Sequence, residues 1–187
     1  MENTKRGIVL LTNVERFGKE TDREDLSKKR TGFDIREVAY LHHCLEKQEG
    51  WTLEYVSIEG GESPVDPESL KESQHDEVVQ EMMRDRRILE RMKNTTSITE
   101  IDTTNIKWIF IPGCHGAMMD IAKSDRVCHL ACKVYENNGC IATISHGAAG
   151  LLTLKRGNEF LIKGKKITGF TDEEEKKKSN SNLTTRH

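Results

Sequence analysis

Long apolar runs are the first feature that this sequence lacks. The apolar stretch within the opening segment MENTKRGIVLLTNVERFG is only about five residues long, whereas a secretory signal core takes roughly 7 to 15 residues. A helix that spans a bilayer needs roughly 20 apolar residues. The sequence therefore predicts a cytoplasmic location and no membrane partner.

The sequence also lacks an excess of charge of either sign. Its 29 Lys and Arg residues nearly balance its 31 Asp and Glu residues, which leaves a net charge of -2 at pH 7. This balance supplies no basic surface for nucleic acid. The 187 residues, of which 35% are hydrophobic, suffice for a single domain with a core of its own.

The cysteines are odd in number, which argues against a disulfide framework in a chain without an export signal. The cysteines are Cys44, Cys114, Cys128, Cys132 and Cys140. Cys128, His129 and Cys132 lie in a helix-like stretch, where residues four apart share a face. Two thiols without a clear third ligand are weak evidence for a metal site, so we expect helix packing and no metal there.

Apolar and amphipathic segments alternate along the chain. The predicted strands are short apolar runs rich in branched residues, at 7–12, 52–58, 107–112 and 140–144. The predicted helices lie between these runs, at 33–47, 76–92 and 120–137. Such alternation indicates an α/β domain in which a parallel sheet is covered on both faces.

The remaining segments carry weaker signals. A final apolar pair, 160–162 and 166–170, predicts a β-hairpin across Lys-Gly-Lys. Residues 15–31 are dense in charge and predict a long surface loop, a kind of segment that is often functional. The charged stretch 76–92 has apolar residues at helical spacing and predicts an amphipathic surface helix. The polar tail 171–187 is predicted to be disordered, which leaves 1–170 as the domain.

A candidate nucleophile elbow occurs in ATISHGAAGLL, where a predicted strand runs directly into a helix of small residues. Ser145 occupies the junction, at the position where such a turn exposes a nucleophile and where Gly147 and Ala148 allow close approach of the backbone. Helix-start amides there can stabilise an anion. Serine is also a favoured N-cap of ordinary helices, so this segment alone leaves both interpretations open.

Further motifs, in the same order along the chain, resemble the ThiJ/PfpI superfamily. TGFDIRE at 31–37 matches T-G-x-x-x-x-E, FIPGCHGAMMD at 110–120 matches F-I-P-G-G-H-G-x-x-x-D, and ISHGAA at 144–149 matches V-C-H-G-P-A. Weaker matches are VDPESL at 65–70 and GKKITGFT at 164–171. The likeness is to the glutathione-independent glyoxalase and heat-inducible chaperone group of this class I glutamine amidotransferase-like superfamily.

The resemblance implies a fold and an activity. The implied fold is a flavodoxin-like three-layer α/β sandwich with a parallel central sheet, commonly as a homodimer. The implied activity is that of a glyoxalase III, or D-lactate dehydratase, which turns methylglyoxal into lactate without glutathione or added cofactor, beside chaperone and stress-response roles. Longer relatives continue after the segment GKKITGFT with further strands and a helix, whereas this sequence ends at His187.

The resemblance also assigns roles to individual residues. It implies Ser145 in the place of the catalytic cysteine, with Glu37 beside it and His146 as its neighbour. A thiol with a pKa near about 8.5 is partly ionised at neutral pH, whereas an alcohol is not. Serine therefore needs a base during attack, and Glu37 and His146 are the candidates. A purely structural role for either side chain remains the alternative.

The loop after the third predicted strand carries a second departure from the family. The amides of Gly113 and Cys114 are expected to face a developing oxyanion, with His115 and Gly147 lining the same site. Cys114 stands where the family has glycine, so a turn that needs a positive φ would be strained or reshaped there. Packing is the usual role of a buried cysteine, and a substitute thiol for position 145 is the sharper alternative.

Two classes of function follow from these motifs. The first is an enzyme that acts on methylglyoxal and related small aldehydes through Ser145, or a serine-dependent hydrolase. The second is a catalytically inactive relative that works as a dimeric stress chaperone or interaction module.

Overall fold

The computed structural model describes residues 5–16, 29–46, 48–113, 115–171 and 173–174. Within them, five parallel strands form one sheet in the order β3-β2-β1-β4-β5. These strands are β1 (Lys5–Leu11), β2 (Trp51–Ser57), β3 (Thr96–Ser97), β4 (Ile106–Ile111) and β5 (Cys140–Thr143). An antiparallel pair, β6 (Lys155–Arg156) and β7 (Glu159–Phe160), follows near the end of the described chain.

Helices connect the strands and confirm the predicted α/β alternation. They are α1 (Ile35–Glu46), α2 (Pro67–Glu72), α3 (Glu77–Arg84), α4 (Arg86–Lys93), α5 (His115–Met119) and α6 (Asp125–Glu136). Short 3-10 helices cover Ile121–Lys123 and Ser145–Leu151. The predicted parallel strands agree with the observed ones to within a residue or two, whereas β3, α2 and α5 were missed.

The core lies on both faces of the sheet. In β1, Ile8 and Leu10 pack into the cluster beneath α6, while Val9 and Leu11 pack into the cluster beneath α1, α3 and α4. All four side chains are 0% exposed. A strand buried on both faces has no polar alternation, which is why the sequence shows a continuous apolar run at this position.

The charged stretch 76–92 forms two helices instead of the single predicted helix. Asp85 ends α3 and also caps α4, because its carboxylate accepts the Arg87 amide at 2.8 Å. The amphipathic character is as predicted, since the buried residues lie on one side: Val79, Met82, Ile88 and Met92. An aspartate that favours a cap over a helix interior therefore bends an otherwise continuous pattern.

The prediction of a hairpin over 160–162 and 166–170 is wrong. The strands that pair are β6 and β7, and the turn between them is Gly157-Asn158, with Gly157 at φ +59. A two-residue turn with glycine at a positive φ is a favoured hairpin turn. Leu154, which is 0% exposed, fixes the hairpin to the core, and its carbonyl accepts the Leu161 amide at 2.9 Å.

The surface-loop and tail predictions fall largely outside the described residues, which omit 17–28, 172 and 175–187. At the base of the loop, the Thr31 amide donates to the Glu15 carbonyl at 2.8 Å. In the tail, the Glu174 carboxylate accepts the Thr171 amide and hydroxyl at 2.9 Å, and the Glu174 amide donates back to that hydroxyl at 3.2 Å. This reciprocal pattern is a capping box.

An aromatic corner closes the amino end of the sheet. Trp108 of β4 lies over Gly7 of β1, where a Cβ on Gly7 would come within 2.0 Å of the indole. Trp51, the first residue of β2, has its ring centroid 6.1 Å from that of Trp108. Glycine in this strand therefore serves close packing of an aromatic ring.

In the part of the chain that the structure describes, no helix has both the length and the apolar content that a membrane span requires.

Leu154 and Leu152 provide a matched test of the core anchor. Leu154→Ala is expected to lower the free energy of unfolding by roughly 2–5 kcal/mol, because it removes a fully buried side chain. Leu152 is 55% exposed, so Leu152→Ala is expected to change stability by no more than about 0.5 kcal/mol. Urea unfolding followed by far-UV circular dichroism measures both. Equal stability of the two variants would contradict the assigned anchor.

Candidate active site

The candidate site lies at the carboxyl ends of the parallel strands, where open α/β sheets usually bind ligands. Thr12 and Asn13 directly follow β1, Pro112 and Gly113 directly follow β4, and Ser145 follows β5 after one intervening residue. The Thr12 hydroxyl and the Asn13 amide donate to Asp120 Oδ2 at 2.8 and 2.9 Å. These bonds tie the loop after β1 to the segment that follows α5.

Ser145 forms the elbow between β5 and the 3-10 helix that begins with it. Its φ is +53, a conformation that non-glycine residues rarely adopt and that is common at strained functional turns. The N-cap of this helix is Ile144, with no side-chain cap bond. Interpretation of Ser145 as an ordinary N-cap is therefore wrong, and the strand-to-helix elbow is what the structure contains.

Gly147 makes the elbow sterically feasible. A Cβ at this position would lie 2.3 Å from the Ile111 carbonyl oxygen and 2.8 Å from that of Pro112. The Gly147 amide donates to the Ile144 carbonyl at 2.9 Å. Only a residue without a side chain allows the turn to pack this closely against the end of β4, as the sequence analysis anticipated for a small residue.

Gly113 brings Ser145 and Glu37 together. The position that a Cβ on Gly113 would occupy lies 2.9 Å from Ser145 Oγ and 3.1 Å from Glu37 Oε1. The Gly113 amide also donates to Glu37 Oε2. Glu37, in the first turn of α1, thus lies close to Ser145. The family motif implied a glutamate beside the nucleophile position.

This hydrogen bond changes the role predicted for the Gly113 amide. The family motif implied that this amide faces an oxyanion, whereas in the structure it donates to the Glu37 carboxylate. The Gly113 carbonyl accepts the Asp34 amide at 3.2 Å, so both backbone polar groups of Gly113 face the start of α1. Cys114, the second predicted oxyanion donor, lies outside the described residues.

His146 is placed beside the elbow serine within a stack of rings. Ser145 Oγ lies 3.4 Å from His146 Nδ1. The imidazole, 7% exposed as a residue, stacks on Phe170 with 4.6 Å between centroids, and the His115 ring lies 4.4 Å away on the same basis. Phe170 was missed as a site residue, although the matched segment GKKITGFT contains it.

Asp34 and Glu37, both at the start of α1, bind different backbone amides. The Asp34 carboxylate accepts the Arg36 amide at 2.9 Å, as an N-cap side chain does. Glu37 stands three residues later, the spacing of a capping box, but it reaches Gly113 instead. The sequence at 34–37 does not show whether Glu37 caps α1 or binds the Gly113 amide, because both arrangements place a glutamate three residues after the N-cap.

The cysteines that were weighed as metal ligands lie close together in the structure. Cys128 and Cys132 of α6 both contact the Lys155 carbonyl, whereas His129 is exposed. Among the described residues, no group of three His, Cys, Asp or Glu side chains is arranged to hold a metal ion.

Comparison with known families agrees with this arrangement. The profile described as the DJ-1/PfpI family matches residues 30–186, most of the chain. The chain belongs to the DJ-1/PfpI family. This membership confirms the family resemblance that the sequence motifs indicated.

The curated relatives of this DJ-1/PfpI chain are longer proteins. Glutathione-independent glyoxalase hsp3102 of Schizosaccharomyces pombe is 25% identical over 141 residues, which cover 74% of this chain and 57% of the relative. Glutathione-independent glyoxalase HSP31 of Saccharomyces cerevisiae is 37% identical over 76 residues, 39% of this chain and 32% of the relative. The matches span between 31% and 59% of the curated relatives' lengths.

Solved structures confirm the flavodoxin-like α/β fold of this DJ-1/PfpI chain. Rapid Encystment Protein 24 KDa of Francisella tularensis superposes with a TM-score of 0.83 at 28% identity, covering 94% of this chain and 74% of that one. Glyoxalase III from Candida albicans gives a TM-score of 0.76 at 24% identity, with 95% and 76% covered. The second likeness concerns the fold alone.

Asp120 closes the family's loop motif and is half-buried. Burial raises the pKa of its carboxyl, and this effect outweighs the hydrogen bonds from Asn13, Thr12 and Ile121 that lower the pKa. At a pH between the unfolded and the folded pKa of this carboxyl, the folded chain therefore retains a proton that the unfolded chain has released. Stability contributed by the protonated form is lost as pH rises from about 3.9, the ordinary value, through the raised folded pKa.

Asp120→Asn tests this linkage. The difference in free energy of unfolding, variant minus wild type, is expected to become more positive as pH rises through that window, because asparagine has no proton to lose. A pKa difference of one between folded and unfolded chains corresponds to about 1.4 kcal/mol. Urea unfolding at intervals from pH 4 to about 7 measures the slope. A difference that is independent of pH would contradict the raised pKa.

Proposed function

We propose that the chain binds methylglyoxal or a related small 2-oxoaldehyde at Ser145 and converts it to the 2-hydroxy acid without glutathione. The observation that carries this proposal is that Ser145 Oγ and Glu37 Oε1 lie 2.9 and 3.1 Å from the position of a Cβ on Gly113, with His146 Nδ1 3.4 Å from Ser145 Oγ. A nucleophile at a strained elbow, next to candidate proton acceptors, is the arrangement of covalent catalysis. The names of the curated relatives support the choice of substrate.

The first step requires activation of the alcohol. His146 Nδ1 lies 3.4 Å from Ser145 Oγ, and contacts of this kind often tighten from a loose distance once substrate is bound. Stacking on Phe170 at 4.6 Å restricts the imidazole to one plane. His146 therefore takes the hydroxyl proton as Ser145 Oγ forms a bond to the aldehyde carbon, which gives a hemiacetal.

The second step is a proton shift between adjacent carbons. Glu37 removes the hydrogen of the former aldehyde carbon and returns a proton to the neighbouring carbonyl carbon, while the hemiacetal hydroxyl gives its proton to the neighbouring carbonyl oxygen. The hemiacetal thereby becomes a 2-hydroxyacyl ester of Ser145. Water then cleaves this ester and restores the hydroxyl. Methylglyoxal plus water becomes lactate with no net oxidation, so the proposed reaction needs neither glutathione nor a redox cofactor.

A second candidate function is a non-catalytic relative that works as a dimeric chaperone or interaction module. A surface cavity lined in part by Leu152, Phe160 and Ile162 favours it, because apolar side chains grouped on a surface are typical of binding sites. Leu152 and Phe160 are 55% and 46% exposed, and Ile144, directly before Ser145, is 45% exposed. An alcohol that does not ionise near pH 7 also fits this role.

Substitution of Ser145 distinguishes the two candidates. Lactate formation from methylglyoxal without glutathione is measured for the purified wild type, Ser145→Ala and Ser145→Cys. We expect turnover by wild type, background rates for alanine, and a rate at least about tenfold higher for cysteine, because a thiol is partly ionised near neutral pH. Circular dichroism of each variant checks that the fold is retained.

The outcomes separate clearly. Undiminished turnover by Ser145→Ala would rule out the serine mechanism. A silent wild type beside an active Ser145→Cys variant would show an intact pocket that lacks its thiol, and would favour the chaperone or interaction role.

A further inference from the structure

Helix α6 carries a pair of thiols away from the candidate active site. Cys128 and Cys132, four residues apart, lie on the same face of the helix. Both are half-buried and neither forms a disulfide. Cys128 also packs against the core cluster beneath α6. The pair has no part in the proposed reaction.

The two sulfurs converge on one backbone group. Cys128 Sγ donates to the Lys155 carbonyl at 3.5 Å, and Cys132 Sγ donates to the same oxygen at 3.1 Å. The Lys155 amide donates in turn to Cys128 Sγ at 3.2 Å. Because Lys155 is the first residue of β6, the thiols hold the β6–β7 hairpin against α6.

The spacing suits a bridging atom better than a direct disulfide. Side chains four apart on a helix have Cβ atoms about 5–6 Å apart, whereas a disulfide requires a Cβ separation of about 3.8 Å. Bonding of the two sulfurs to each other would therefore distort α6. One inserted atom that bonds to both sulfurs removes this conflict.

The raised pKa of the Cys132 thiol favours a ligand that reacts with neutral thiols. Burial raises the pKa of the Cys132 thiol to about 11, and the neighbouring Cys128 adds to this rise. Zinc needs thiolates and usually four ligands, but in the described part of the chain no third Cys, His, Asp or Glu completes a metal group. The two thiols therefore suit a soft atom that can form bonds to two sulfurs.

We propose that Cys128 and Cys132 form a two-thiol binding site for organic trivalent arsenicals. In the binding step an arsenoxide loses its arsenic–oxygen bond and forms two arsenic–sulfur bonds. Both thiol protons leave with the oxygen as one water molecule, and arsenic remains trivalent throughout, so no oxidant or reductant takes part. The Lys155 carbonyl loses both thiol donors in this step, which loosens the hairpin.

The test uses phenylarsine oxide with the full reduced chain. We expect one arsenical per chain with loss of one water in the intact mass, and peptide mapping that places it on the α6 segment. Cys128→Ser and Cys132→Ser are each expected to weaken binding by roughly 100-fold, because a single thiol lacks the second linked attachment. Cys44→Ser and Cys140→Ser, which alter exposed single thiols, are matched controls with unchanged binding.

A measurement on the wild type removes any dependence on how the variants fold. Phenylarsine oxide is expected to protect Cys128 and Cys132 from iodoacetamide, and excess small dithiol is expected to restore labelling. Hydrogen exchange of residues 155–160 should rise in the arsenical complex. Retention of the adduct in both α6 serine variants, its loss in Cys114→Ser, or labelling of Cys128 and Cys132 without protection would each overturn the proposal.

Discussion

The absence of a side chain at residue 113 is the constraint on which the candidate site depends. Ser145 and Glu37 both lie against the space where a Gly113 side chain would stand, and the Gly113 amide and carbonyl face Glu37 and the Asp34 amide respectively. Any Cβ there would lie within 2.5 Å of the Ser145 Cβ. The elbow after β5, the loop after β4 and the first turn of α1 therefore form one packed unit, although they are far apart in sequence.

The sequence predicted the parts of the fold that local periodicity encodes. The strands buried on both faces appear as continuous apolar runs, so four of the five sheet strands were found. β3 has only two residues, which is too short for any period. The helix break at Asp85 and the hairpin turn at Gly157 depend on single residues, a cap and a positive φ, and the apolar pattern outweighed these signals.

The candidate site was likewise predicted only in part. Ser145 was indicated by the strand-to-helix pattern, whereas the resemblance to the family named Glu37 and His146. It did not predict that the Gly113 amide would bind Glu37, since a contact across 76 positions depends on tertiary packing. Phe170 was also missed, because an aromatic residue carries no chemistry that marks it as the neighbour of a histidine.

The aromatic corner at Trp108 and Trp51 has a practical consequence for optical studies. The chain's 2 tryptophans lie together toward the amino ends of the strands, with centroids 6.1 Å apart, while Ser145 lies at the carboxyl end of β5. Intrinsic fluorescence therefore samples one corner of the sheet and not the elbow. It is a clean reporter of sheet integrity and a poor reporter of occupancy, so ligand titrations call for a label or an absorbing substrate.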